Sequence, residues 1–205
     1  MNKEYPDEFT SHPLLIVLSG PAGVGKDAVL RQLKSLCYPL HFVVTATDRP
    51  PRPEEIDGVD YHFVSTAEFQ RMEREGELLE HALVYDQHKG VPRNQVREAL
   101  AAGQDVIMRV DVQGAATVRE IAPQAVLIFL TASDEDLEKR LRRRGTDSPE
   151  QLAIRLQKAR EEKERISEFD YVVVNRDNQL KQAVRRVIAI IEAEHCRVHP
   201  RKVEL

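Results

Sequence analysis

Leu14-Leu15-Ile16-Val17-Leu18 is an unbroken apolar run that ends at a glycine-rich turn. So short a continuous run predicts a strand buried on both faces, as in a parallel sheet. The next segment, Ala28-Val29-Leu30-Arg31-Gln32-Leu33-Lys34, has helical composition. Similar apolar runs return at Asp105-Val106-Ile107-Met108-Arg109-Val110, Ala125-Val126-Leu127-Ile128-Phe129-Leu130 and Tyr171-Val172-Val173-Val174, with helix-like stretches between them. That alternation predicts an α/β fold, a parallel sheet with helices on both faces. Residues 48–92 break the rhythm. Pro50, Pro51 and Pro53 open them, and Tyr61-His62-Phe63-Val64 and Leu83-Val84-Tyr85 read as short strands around one helix, so an insertion with its own small sheet is expected. Two later helix starts carry capping-box signatures, Ser133-Asp134-Glu135-Asp136 and Ser148-Pro149-Glu150-Gln151, the second with proline at the first helical position. Between them lies a basic stretch, Arg140 to Asp147, and a last helix is expected from about Gln179 to Glu194.

Composition narrows the class. A chain of 205 residues with 41% hydrophobic content can bury one sizeable core, so a single folding unit is expected. The formal net charge of -4 and pI near 6.0 argue against a nucleic-acid partner, which calls for a basic surplus. Cys37 and Cys196 are far apart and in no CxxC spacing, so neither a disulfide framework nor a zinc site is expected, and a reducing compartment fits. The polar start, Met1 to His12, lacks the basic and apolar regions of a secretory signal, and no stretch is long enough to span a membrane. A soluble cytoplasmic protein is the expectation.

The turn after the first strand reads Gly20-Pro21-Ala22-Gly23-Val24-Gly25-Lys26, the phosphate-loop spacing between a strand and a helix. Its glycines let backbone N–H groups wrap a β-phosphate, the helix start adds a favourable dipole, and Lys26 bridges β- and γ-phosphates. The next position departs from the rule. Serine or threonine usually follows the lysine to hold Mg²⁺, and here Asp27 stands there. Two readings stand: Asp27 as a metal ligand, or as an acid that stabilises the first helical turn.

Four ordered motifs resemble guanylate kinases: Arg49-Pro50-Pro51-Arg52-Pro53-Glu54-Glu55-Ile56-Asp57-Gly58-Val59-Asp60-Tyr61-His62-Phe63, then Gly76-Glu77-Leu78-Leu79-Glu80-His81-Ala82, Asp111-Val112-Gln113-Gly114-Ala115 and Arg144-Gly145-Thr146-Asp147. The resemblance runs from about Leu14 to about Glu194. It implies a kinase that moves the γ-phosphoryl group of ATP to GMP, or dGMP, with Mg²⁺, as a monomer or homodimer. It further implies that Arg49, Arg52 and Tyr61 hold the GMP phosphate, that Glu80 accepts from guanine N1–H and the 2-amino group, and that Thr45 bonds the base. Arginine forks suit a phosphate dianion. Arg140 is expected against the adenine, Arg144 and Arg155 at the transferring phosphates, and Asn175 on the adenine-side turn. The implied map is one domain, with core segments 13–47, 93–140 and 156–194, a GMP-binding insertion at 48–92, a lid at 141–155 and a polar tail at 195–205.

Three departures from the family pattern carry chemistry. Lys89-Gly90-Val91-Pro92 replaces a loop that usually supplies a phenol and a hydroxyl. Lys89 can still meet a phosphate as a point charge, but Val91 cannot replace the hydroxyl. Arg109-Val110-Asp111 replaces an Asp-x-Asp, leaving Asp111 as the acidic group near metal and acceptor. These replacements resemble those of organelle-type plant guanylate kinases. Because the strand ending at Arg109 should neighbour the phosphate-loop helix, an Asp27–Arg109 ion pair is expected. Two other readings remain. Asp27 and Val91 also suit a ribose 1,5-bisphosphate phosphokinase, though that group lacks the motif from Arg49 to Phe63 and the Glu80 motif. A non-catalytic guanylate-kinase-like binding domain would show a damaged phosphate loop, and Lys26 is present.

Overall fold

The computed structural model describes residues 12–84, 87–144 and 148–205. In chain order the core opens with β1 (Leu15–Ser19) and α1 (Lys26–Ser35), followed by β2 (His41–Phe42). A second region holds β3 (Thr45–Thr47), β4 (Tyr61–Phe63), α2 (Thr66–Arg74), β5 (Leu78–Val84) and β6 (Gln87–Pro92). The core resumes with α3 (Arg93–Ala101), β7 (Val106–Arg109), α4 (Val112–Ile121), β8 (Val126–Thr131), α5 (Asp134–Arg144), α6 (Pro149–Glu164), β9 (Tyr171–Val174) and α7 (Leu180–His195). Tyr85, Gly145, Thr146 and Asp147 lie outside the described residues, as does the side chain of Arg144. Among the described residues, no helix is long and apolar enough to cross a membrane.

The main sheet has the order β2-β7-β1-β8-β9, and every neighbouring pair in it is parallel. β1 sits at its centre and is wholly buried. Alternation sends Ile16 and Leu18 into a cluster with Val29 and Leu33 of α1 and Val184, Val187 and Ile191 of α7. Leu15 and Val17 point the other way, onto Val96 of α3 and Ala115 and Val118 of α4. Chain connections leave β1 toward opposite sides of the sheet, so its carboxyl end is the switch point where such sheets bind ligands.

The second sheet runs β4-β3-β6-β5, with β3 parallel to β4 and antiparallel to β6. Its back face closes over Ala46, Phe69 and Leu78 beneath α2. Thr45–Thr47 therefore belongs to this sheet rather than to the core segment that pattern alone assigned it. Three residues are too short to show a strand period. Both helix-start signatures hold: Ser133 accepts from the Asp136 N–H at 3.1 Å, and Ser148 with Gln151 forms a full capping box. α6 continues unbroken through residue 155 to Glu164, so the expected lid boundary is not a break in secondary structure.

The tail is less polar in its behaviour than its composition suggests. Glu194 is buried on α7, and Arg201 returns to donate to it at 2.8 and 3.2 Å, while the Tyr171 hydroxyl donates at 2.6 Å. Val203 and Leu205 then pack against the core. Arg201→Ala should lower the unfolding free energy by about 2 to 3 kcal/mol, because the Glu194 carboxylate loses its nearest cation inside the protein. A urea titration measures this, and an unchanged midpoint would mean that Arg197, at 3.6 Å, suffices alone.

Candidate active site

The phosphate loop leaves β1 at Gly20, whose φ of 133° and position leave no room for a side chain: a Cβ would lie 2.1 Å from the Leu130 carbonyl oxygen. Lys26 opens α1 and folds its ammonium back over the loop, donating to the carbonyls of Gly20 and, at 3.3 Å, Pro21. Burial holds this lysine below its usual pKa, and Glu162, Asp27 and Asp111 oppose the effect. Arg140 and Asn175 brace the loop from behind. Arg140 donates to Val24 O at 3.0 Å and Asn175 O at 2.9 Å, and the Asn175 amide donates to Val24 O at 2.8 Å. Two atoms nearby, Ser19 Oγ and Asn175 Oδ1, are buried with no hydrogen-bond partner among the described residues. Arg140, expected against the adenine, lies beside the phosphate loop with its in-plane N–H groups donating to the Val24 and Asn175 carbonyls.

The second sheet presents a row of side chains to the core. Thr45 pairs with Tyr61, and the register Ala46↔Gly90 carried one residue further sets Thr45 opposite Val91, which pairs with Glu80. Cross-strand neighbours share a face, so Tyr61, Thr45, Val91 and Glu80 form one line across four strands. The next line contains Phe63, Thr47, Lys89 and Ala82.

One end of the first line is cationic. Arg49 is buried and makes a two-pronged pair with Glu55, 2.6 Å on each arm, and its guanidinium lies 4.8 Å from the centre of the Tyr61 ring. Glu55 also accepts from the Arg52 N–H at 2.9 Å, while the Arg52 side chain is largely in solvent. Glu55 therefore organises both arginines, a role that sequence reading missed. The available signal was an acid three and six residues from the two arginines within a proline-framed turn.

The other end is a buried carboxylate. Glu80 is 4% exposed. Burial, reinforced by the nearby Asp111 carboxylate, pushes its pKa up to about 8. Asp111 caps α4 by accepting from Gly114 N–H at 2.7 Å, and a Cβ on Gly114 would fall 2.3 Å from Glu80 Oε1. Only glycine lets the first turn of α4 approach the carboxylate this closely. Thr45 Oγ1, on the same line, is buried without a hydrogen-bond partner among the described residues, as a base-contacting hydroxyl would be.

Between these ends and the phosphate loop lie two further cations, Arg109 and Lys89. Arg109, at the end of β7, donates to Asp27 at 2.5 Å, so the expected pair forms. It also donates to the Asp60 carbonyl at 2.9 Å and lies 4.4 Å from the Tyr61 ring centre. Burial and the Lys26 ammonium pull Lys89 down to about 8, with Arg109 and Arg49 acting in the same direction and Asp27 against them. Lys89 thus feels charges on both the loop side and the Arg49 side. Arg155 is half-buried on α6, and Glu162, further along that helix, lies close enough to Lys26 to perturb it electrostatically. Glu162 is a second residue that sequence reading missed, and unlike Glu55 it carries no local signal.

A family model described as "Guanylate kinase" matches residues 12–194. The chain is 51% identical to "Guanylate kinase 2, chloroplastic/mitochondrial" of Oryza sativa subsp. japonica, over 94% of this chain and 68% of the relative. It is 46% identical to "Guanylate kinase" of Streptococcus agalactiae serotype III (strain NEM316), over 90% of this chain and 88% of the relative. The crystal structure of guanylate kinase from Anaplasma phagocytophilum superposes with a TM-score of 0.72 at 30% identity, covering 92% of this chain and 88% of that one.

The Glu80 shift makes a signed prediction. A carboxylate that accepts two base N–H groups must be ionised, whereas a group titrating near 8 is mostly protonated at neutral pH. Guanine nucleotide binding near neutral pH should therefore release a proton from Glu80. Calorimetric titration with GMP in buffers of different ionisation enthalpy should show more proton release for the native protein than for Glu80→Gln, a difference that cancels the phosphate's own proton. Equal release would remove Glu80 from the titrating role.

Proposed function

This chain belongs to the guanylate kinase family, and we propose that it transfers the γ-phosphoryl group of ATP to GMP across the cleft between its two sheets. The observation that carries this reading is the line from Tyr61 to Glu80. It has guanidinium character at one end and a buried carboxylate at the other, and it faces a phosphate loop whose half-buried lysine folds back over it. A nucleoside monophosphate has matching chemistry, a dianion at one end and, in guanine, a pair of N–H donors at the other. Adenine offers no such pair.

The donor phosphates would lie in the loop from Gly20 to Lys26 at the start of α1, where backbone N–H groups and the helix dipole favour anions. An acceptor phosphate oxygen attacks the γ-phosphorus in line. The new P–O bond forms as the bond to the β-phosphate bridging oxygen breaks, and ADP leaves with that electron pair. The acceptor is already an anion, so no general base is required, and positioning with charge stabilisation carries the step. Lys26, Arg144 and Arg155 would neutralise charge spreading over the equatorial oxygens. Arg49, Arg52, Tyr61 and Lys89 would hold the acceptor phosphate, and Thr45 and Glu80 the base.

Mg²⁺ fits this site as a metal that arrives with the nucleotide. Asp27 is paired with Arg109, and no group of three His, Cys, Asp or Glu side chains able to hold a metal exists among the described residues. ATP oxygens and water would supply most ligands, and Asp111, whose Oδ1 caps α4, could add a carboxylate on the Lys26 side. When bound, the metal would supply positive charge to offset the donor phosphates. A reducing, cytoplasm-like compartment suits the exposed free cysteines Cys37 and Cys196.

ADP formation should appear with ATP and GMP, and not with AMP or ribose 1,5-bisphosphate as acceptor. Turnover of the sugar phosphate alone would replace this reading. Lys26→Met should lower kcat by about 100- to 1,000-fold, the range for removing one preorganised charge-stabilising donor. Glu80→Ala should raise the GMP KM and erode the preference over AMP, with the ATP KM unchanged.

A further inference from the structure

Arg109 joins three segments that are remote in sequence. Its Nη1 reaches Asp27, the residue after the phosphate-loop lysine, at 2.5 Å, and its Nη2 reaches the Asp60 carbonyl at 2.9 Å. The guanidinium also lies 4.4 Å from the ring centre of Tyr61, which has Arg49 at 4.8 Å. One contact is on the donor side and two are on the acceptor side, while Arg109 itself stands on β7, hydrogen-bonded directly to β1.

In P-loop enzymes generally, this corner pairs a loop hydroxyl with an acidic residue from a second strand, and both serve the metal. Here both positions carry the opposite kind of group. Arg109 points its charge into Asp27 and away from any metal role. The extended fork has reach left for the acceptor insertion, which a shorter acid would lack.

Stability alone does not account for this arrangement. The Asp27 side chain is 47% exposed and Arg109 17% exposed. An ion pair with one partner half in solvent contributes little to folding. Position is another matter, because displacing a reacting group by about 1 Å can slow a reaction roughly 100-fold. Asp27 follows Lys26 directly in the chain, and Tyr61 stands on the acceptor-phosphate end of the second sheet. A contact shared between them constrains the distance over which the phosphoryl group travels.

Resting on the GMP kinase reading above, we propose that Arg109 is a positioning residue that fixes the acceptor-phosphate end of the second sheet against the phosphate loop through Asp27, Asp60 and Tyr61. The planar fork is essential to this. Lysine has three donors but only one nitrogen and no planar face, so it cannot reproduce the two separate arms by which Arg109 reaches Asp27 and the Asp60 carbonyl while lying over the Tyr61 ring.

The test compares Arg109→Met, Arg109→Lys, Asp27→Asn and the Arg109→Met/Asp27→Asn double variant by rapid-quench single turnover with ATP and GMP. Affinity for a non-hydrolysable ATP analogue and thermal midpoint are measured on the same samples. Arg109→Met should slow the single-turnover rate per bound nucleotide by about 100-fold, with analogue affinity within roughly twofold and the midpoint little changed. Arg109→Lys should recover only a small part of that loss. Asp27→Asn should slow the step by a lesser factor, and the double variant should be no slower than Arg109→Met, since both remove the same tie. A native rate in Arg109→Met or Arg109→Lys, or losses that multiply in the double variant, would overturn the proposal. If Arg109→Met fails to fold, the lysine variant and Asp27→Asn still decide it. Absence of GMP turnover in the native protein would instead reject the function on which the proposal rests.

Discussion

Burial of β1 on both faces is the constraint from which the architecture follows. A strand with no exposed residue needs cover on both faces, and here β1 lies between parallel neighbours with helices above and below. Coverage comes from α1 and α7 on one side and α3 and α4 on the other. The carboxyl end of such a strand opens where the chain's connections diverge, so the glycine-rich turn there faces a crevice. Gly20 against the Leu130 carbonyl shows how tightly the loop is drawn onto the sheet. Arg140 and Asn175 then hold the loop's outer carbonyl in place.

The cleft between the sheets combines groups that burial pushes in opposite directions. Glu80 is driven up and Lys89 down, and both arrive near 8. Each shift has the same origin, loss of water around a charge without a full protein partner. A ligand carrying N–H donors at one end and a phosphate at the other restores what solvent would otherwise give. The charges of the cleft therefore complement those of the proposed acceptor.

Much of this was legible in the residues. The parallel core, the inserted sheet, both helix caps, the phosphate loop and the Asp27–Arg109 pair all have local patterns or follow from the neighbourhood of two strand ends. Glu55, Gly114 and Glu162 were not, because each acts on a partner in another segment or in a turn whose shape the residue types do not dictate. The family resemblance set Arg140 beside the nucleotide, and only the tertiary structure shows that its guanidinium also donates to the carbonyls of Val24 and Asn175.

By itself the sequence determined the reaction class through the glycines and lysine of its phosphate loop, and it pointed to the acceptor through the resemblance of the motifs around Arg49, Arg52, Tyr61 and Glu80 to guanylate kinases. Tertiary structure decided how these groups meet. The strand register put Tyr61, Thr45, Val91 and Glu80 on one line. The end of β7 brought one guanidinium to Asp27, Asp60 and Tyr61 together. The tail became part of the core because Glu194 needed a cation. Such contacts depend on distances between segments far apart in the chain, which residue order alone does not encode locally.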